Sequence, residues 1–187
     1  MNLPPPVLDD SAKTELLLLA RRTLENYLGR GEIPRYFTSR LELCARCGAF
    51  VSLHRGKDLR GCIGLLTPDE ELYRTVQRCA ISSAVEDSRF PPVTYEELSE
   101  LTIELSILAP LRTIKDPVEV EVGRHGLLVS RQGRRGLLLP QVAIENRWDR
   151  ETFLSQTCRK AGLPPDAWRD PDTSIECFTA QVFSEGS

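Results

Sequence analysis

Two short apolar runs, Ala49-Phe-Val-Ser-Leu-His54 and Leu59-Arg-Gly-Cys-Ile-Gly-Leu65, stand on either side of Arg55-Gly-Lys-Asp58. A connection that short joins only antiparallel neighbours, so the pair reads as a β-hairpin. The pattern returns downstream, where Gly126-Leu-Leu-Val-Ser130 and Gly136-Leu-Leu-Leu-Pro140 flank Arg131-Gln-Gly-Arg-Arg135. The glycine of that tip permits the turn, and its arginines read as solvated rather than phosphate-binding. Between the hairpins, Leu101-Thr-Ile-Glu-Leu-Ser-Ile107 alternates strictly. That period puts leucines and isoleucines on one face and Thr102, Glu104 and Ser106 on the other, a half-buried strand. Ser174 to Phe183 is mixed enough to read as one strand covered on both faces.

Helices intervene, but not after every strand. Asp9, Asp10 and Ser11 mark the start of one that runs to about Leu28. Its buried face is expected at Leu17, Ala20, Leu24, Tyr27 and Leu28, with Gly29 and Gly31 as the left-handed stop. Thr67-Pro-Asp-Glu70 reads as a capping box with proline at the first helical position. The face that follows carries Leu72, Val76, Cys79, Ala80 and Ser83, and the prolines of Glu86-Asp-Ser-Arg-Phe-Pro-Pro92 end it. Thr94-Tyr-Glu-Glu97 is a second capping box, and Asp149 caps a helix with Phe153, Leu154, Thr157, Cys158 and Ala161 inward, closed by Gly162. Asp116 to Val122 alternates valine with glutamate and stays open between an edge strand and a short acidic helix. Hairpins with interspersed helices predict an α+β fold, a mainly antiparallel sheet flanked by helices, rather than a doubly wound one.

A chain of 187 residues, 41% hydrophobic, buries a core as one large domain or two closely joined lobes. The six cysteines therefore read as free thiols rather than a disulfide framework. A net charge of -3 supplies no basic footprint, which argues against nucleic acid. The first ten residues are read as a lead without a basic, then apolar, signal pattern, and no run approaches the roughly 18 apolar residues of a membrane span. The cytosol is the expected compartment, with no membrane partner.

Chemistry concentrates in Leu59-Arg-Gly-Cys-Ile-Gly64. A period of two puts Arg60, Cys62 and Gly64 on one face of a strand and Gly61 and Ile63 on the other. A guanidinium beside Cys62 favours thiolate, and bare Gly61 and Gly64 admit a ligand or another backbone. The competing account makes Cys62 a small buried hydrophobe, with Arg60 emerging at an edge and pairing with Glu104. Cys44-Ala-Arg-Cys47 is a lone C-x-x-C with no second ligand pair, so no metal site is expected. His54 and His125 are candidates to reach Cys62 in space, although no spacing requires it.

The same motif, with Asp87-Ser-Arg-Phe-Pro-Pro92, Glu104-Leu-Ser106, Gly123-Arg-His-Gly126 and Leu138-Leu-Pro-Gln-Val142, resembles the AmmeMemoRadiSam protein A family, also called the Alport syndrome candidate region protein family. The resemblance covers roughly residues 11 to 183 as a single domain of two sub-lobes. It implies a two-lobed α+β fold with a cleft and a link to Memo-like and radical SAM proteins, but it assigns no reaction and no cofactor. On it, Arg89, Glu104 and Gln141 join Gly61 and Gly64 as candidate binding residues, with Cys62 and Arg60 as candidate catalytic ones. Two functions compete: a partner or modification substrate of Memo-like and radical SAM proteins, and a cleft enzyme or small-molecule binder using a Cys62 thiol.

Overall fold

The computed structural model describes residues 6–186. Of the expected lead, residues 1–5 lie outside the described residues, and the rest runs without regular structure into the first helix. In chain order the elements begin with α1 (Asp10–Arg30), β1 (Ala49–Arg55), β2 (Asp58–Leu65), α2 (Leu72–Val85), β3 (Leu101–Leu108) and β4 (Arg112–Thr113). They continue with β5 (Gly126–Arg131), β6 (Arg134–Leu138), α3 (Pro140–Glu145), α4 (Arg150–Lys160), β7 (Ser174–Phe178) and β8 (Ala180–Ser184). The fold is α+β, with two four-stranded antiparallel sheets ordered β2-β1-β3-β8 and β4-β7-β5-β6. The chain divides into two compact units: the first runs to Leu108 and resumes at Gln181, and the second is Ala109–Ala180.

In the first unit, α1 and α2 cover the apolar face of the β2-β1-β3-β8 sheet, against Val51, Leu53, Ile103, Leu105 and Ile107. Asp9 opens α1 by accepting from the Ala12 amide at 2.7 Å, and Gly31, at φ +72°, ends it. Its buried stripe is Ala12, Leu16, Leu19, Ala20, Thr23 and Leu24, which keeps Ala20 and Leu24 of the expected one and corrects the rest; Leu17, Tyr27 and Leu28 are only half-buried. Four consecutive leucines, 16 to 19, fit more than one helical phase, and packing on α2 and β3 selects among them.

The helix expected to open at Thr67 opens instead at Leu72. Its first free amides are met from elsewhere: Leu72 donates to the Ala45 carbonyl at 2.9 Å and Tyr73 to that of Leu43 at 3.2 Å. The buried face of α2 is as expected from Leu72, Val76, Cys79, Ala80 and Ser83. The second capping box yields a short 3₁₀ helix, Glu96–Glu100, in which only the Glu97 half operates, its carboxylate accepting from the Thr94 amide at 2.9 Å.

The second unit packs α3 and α4 around the β4-β7-β5-β6 sheet, with Phe153, Leu154, Cys158, Val129 and Ile175 at its centre. Asp149 caps α4 through the Thr152 amide at 2.8 Å, and Gly162 at φ +71° follows its end. The β5–β6 tip turns at Gln132 and Gly133, both at positive φ (49° and 78°). As expected of a solvated tip, Arg134 and Arg135 are exposed; Arg131 pairs with Asp170, and Arg134 also donates to the Gly162 carbonyl at 2.7 Å. Asp116 to Val122 is neither a strand nor an α-helix; it forms a 3₁₀ turn, Pro117–Glu119, closed by an Asp116–Glu119 capping box. The single strand expected over Ser174 to Phe183 is two, β7 and β8, one in each sheet. Its mixed composition suited burial, but a pattern without alternation carries no sign of where pairing changes partner.

Candidate functional site

Hairpin β1–β2 places Cys62 opposite Ser52, and Ser52 stands opposite Glu104 of β3. The three polar side chains thus form a row across three strands, on the face away from Leu53 and Ile103. The Ser52 hydroxyl donates to Cys62 Sγ at 3.2 Å. Burial pushes the Cys62 thiol up from its ordinary value, and the nearby Asp87 and Glu104 carboxylates push the same way; Ser52 and the Arg89 cation oppose them. The group is a half-buried thiol biased toward its protonated form.

Arg60 does not do what period-two geometry expects. The pairing slips between Leu53 and His54, so that Leu59 faces His54, Gly61 faces Leu53, and Arg60 is the extra residue of a β-bulge. Its guanidinium turns to Glu97, with Nε–Oε1 and Nη2–Oε2 both at 3.1 Å, and to the Pro91 carbonyl at 2.8 Å. The carboxylate in its grip is thus Glu97 of the segment after α2. Glu97 also holds Arg55 at 2.6 Å, and Arg60 above all depresses its carboxyl. The motif arginine ties the hairpin to the segment after α2.

The cation at Cys62 is Arg89. Asp87, with a side chain only 5% exposed, accepts from the Cys62 amide at 2.9 Å and from Arg89 Nη2 at 2.6 Å and Nε at 2.9 Å. It also accepts from the Arg89 amide at 3.2 Å, while Arg89 Nη2 reaches the Cys62 carbonyl at 3.3 Å. The guanidinium first, then the Cys62 amide, hold the Asp87 carboxyl far below the usual carboxylate range. This clamp occupies the outward backbone groups of edge strand β2 at Cys62, where another strand would otherwise add. The Arg89 side chain remains 52% exposed, its guanidinium also lying 5.4 Å from the centre of the Phe90 ring.

The two glycines serve packing. A Cβ at Gly61 would lie 2.1 Å from the Ser83 carbonyl oxygen of α2, and one at Gly64 would lie 2.2 Å from the Phe50 ring. Of the backbone-or-ligand alternatives, Gly61 takes the backbone and Gly64 a side chain. Gln141 lies on α3 in the second unit, its Oε1 buried without a hydrogen-bond partner. His125 is in that unit too, Nδ1 accepting from the Glu121 amide at 3.1 Å, and burial lowers its pKa. His54 shares the Ser52 face of β1, with Nε2 buried and without a partner. All six cysteines are free thiols, Cys44 and Cys47 included, and no group of three His, Cys, Asp or Glu among the described residues is placed to hold a metal ion.

Sequence reasoning did not single out Asp87, Ser52 or Glu97. Asp87 carried a usable signal: an aspartate two residues before Arg89, just ahead of two prolines, is the pattern of a side chain folding back on the second amide along. Ser52 carried none and Glu97 was legible only as the acid of the Thr94 capping box, because their partners at the site lie across a register and across a turn.

A two-unit α+β protein with a glycine-flanked thiol on an edge strand, clamped by an aspartate–arginine pair, is the class these observations define. The chain belongs to the AMMECR1 family, whose model matches residues 17–183. Protein PH0010 of Pyrococcus horikoshii is 47% identical over 181 residues, covering 91% of this chain and 88% of that one. A protein of Methanothermobacter thermautotrophicus is 42% identical over 198 residues, with 96% and 97% covered. The crystal structure of PH0010, titled an uncharacterized protein, superposes with a TM-score of 0.92 at 44% identity, covering 96% of this chain and 94% of that one. No helix among the described residues is long and apolar enough to cross a membrane.

Proposed function

We propose that this chain acts as a partner or modification substrate of Memo-like and radical SAM proteins in the cytosol, through a module of residues 11–183. The exposed Arg89 and the Cys62 segment it clamps form the contact surface. One observation carries this reading: the Asp87–Arg89 pair is anchored on the Cys62 backbone while its guanidinium stays half open to solvent. An arginine held in place by its own carboxylate loses little freedom on binding, which favours recognition. A thiol kept protonated by burial is a poor nucleophile at neutral pH, and that weighs against thiol catalysis.

Two measurements test it. Purified chain is mixed with the Memo-like and radical SAM proteins encoded by the same genome, and complexes are read by sedimentation. A complex weakened about tenfold or more by Arg89→Ala is expected, as for the loss of a well-placed arginine anchor. Iodoacetamide labelling across pH, read cysteine by cysteine, should show Cys62 reacting slowly at neutral pH. No complex with either protein, together with rapid labelling at Cys62, would overturn the reading. That outcome favours the second function, a small-molecule binder or enzyme using the Cys62 thiol, for which the Ser52 hydroxyl bond to Sγ is the supporting contact.

A further inference from the structure

Strand β2 forms one edge of its sheet, and its outward backbone is closed at Cys62, where Asp87 takes the amide and Arg89 the carbonyl. Antiparallel pairing with β1 turns every second residue of β2 outward, so the next outward amide and carbonyl belong to Gly64, opposite Phe50. Among the described residues no loop and no side chain meets them. The opposite edge strand, β8, is engaged by the lead: Gln181 accepts from the Leu8 amide at 3.2 Å and donates to the Pro6 carbonyl at 2.7 Å.

Beside Gly64 the edge borders a groove. Ile63 and Leu65 turn toward α2, and with Ile81 of α2 and Tyr27 of α1 they line an opening of about 600 Å³. Glu70, on the loop before α2, lines it as well; its Oε1 is buried and accepts no hydrogen bond, with Arg78 Nη1 3.5 Å away. A buried acceptor without a donor is costly, so the groove holds a site for an N–H from outside. The three features call for parts of one ligand. A free amide and carbonyl on one residue are matched by the carbonyl and amide of another extended backbone, whose alternate side chains then drop beside Ile63 and Leu65. A helix, its own backbone already bonded, leaves Gly64 unmet.

We propose that an extended segment of a partner protein adds to β2 at Gly64, with an apolar side chain in the groove between β2 and α2 and an N–H donated to Glu70. The proposal rests on the reading that the Cys62–Arg89 surface meets a Memo-like or radical SAM protein, since Gly64 lies two residues further along the same strand, and it adds how that partner is gripped. The test is residue-resolved amide hydrogen exchange of the full chain, alone and mixed with each of those proteins. Alone, Gly64 should exchange fast, and Ile63 and Leu65, bonded to β1, slowly. In the complex Gly64 should slow by about tenfold or more. Ser82→Trp, on the α2 wall, should weaken the complex about tenfold or more by filling the groove, and Glu70→Ala, a second variant that leaves the groove open, should weaken it through the lost acceptor. A complex that depends on Arg89 yet leaves Gly64 exchanging as in the free chain overturns the strand addition and spares the partner reading. No complex with either protein overturns both. Slow exchange at Gly64 in the chain alone also overturns the proposal, because the edge is then already occupied.

Discussion

Asp87 accepts from the amides of Cys62 and Arg89 and from two guanidinium nitrogens, all with its side chain nearly out of solvent. Asp87→Asn keeps the shape but removes the charge from these bonds, and should cost about 2–3 kcal/mol at pH 7, the scale of hydrogen bonds to a charged group. Its pH dependence has a definite sign. The folded carboxyl titrates below the unfolded value of about 3.9, so its stabilisation is complete above that pH and disappears as pH falls through the folded value. Urea midpoints of the parent and the variant should therefore differ at pH 7 and converge in strong acid; a constant gap would show that the charge is not what stabilises the clamp. At Cys62, Ser52 opposes the upward pull of burial. Ser52→Ala should raise the thiol's apparent pKa further, seen as slower iodoacetamide labelling at fixed pH.

At the scale of elements, close approach and capping separate what looked alike in the sequence. Gly61 and Gly56 are both glycines of one hairpin, yet a Cβ at Gly61 strikes the Ser83 carbonyl whereas at Gly56 it meets nothing within 4 Å. Gly61→Ala should lower stability by about 1–3 kcal/mol through displacement of α2 from β2. Gly56→Ala should cost only about 1–2 kcal/mol, the penalty of its positive φ, and should leave the α2 contact intact. Thermal unfolding ranks the two, and amide exchange in α2 should rise only for Gly61→Ala. Caps divide in the same way. Asp149→Ala should lower the thermal midpoint and fray the start of α4, while Thr67→Ala should leave α2 unchanged, because the carbonyls of Leu43 and Ala45, not a side chain, receive its first amides. The Asp149 cap was legible because donor and acceptor lie within one turn. The start of α2 was not, because its acceptors come from a loop nearly thirty residues earlier.

For the whole molecule, the second unit is one unbroken stretch, Ala109–Ala180, with its own apolar core and with its ends joined by a 2.8 Å bond from the Ala109 amide to the Thr179 carbonyl. Excised, this segment should fold by itself and unfold in one cooperative step, and Phe153→Ala should destabilise it by about 3–5 kcal/mol. Circular dichroism of the fragment without a thermal transition would show that its core depends on the rest of the chain. The amino-acid sequence by itself determined both hairpins, the alternating β3, the inward face of α2, the capped α4 and hence the α+β class. Each of these is set by contacts within a few residues or by a regular period. Only the tertiary structure decided which leucines of α1 face inward, where β7 gives way to β8, and that Arg60 serves Glu97 while Arg89 serves Cys62. Those choices depend on a one-residue bulge and on side chains that meet across strands and turns, and a period of two, read along one strand, contains no information about either.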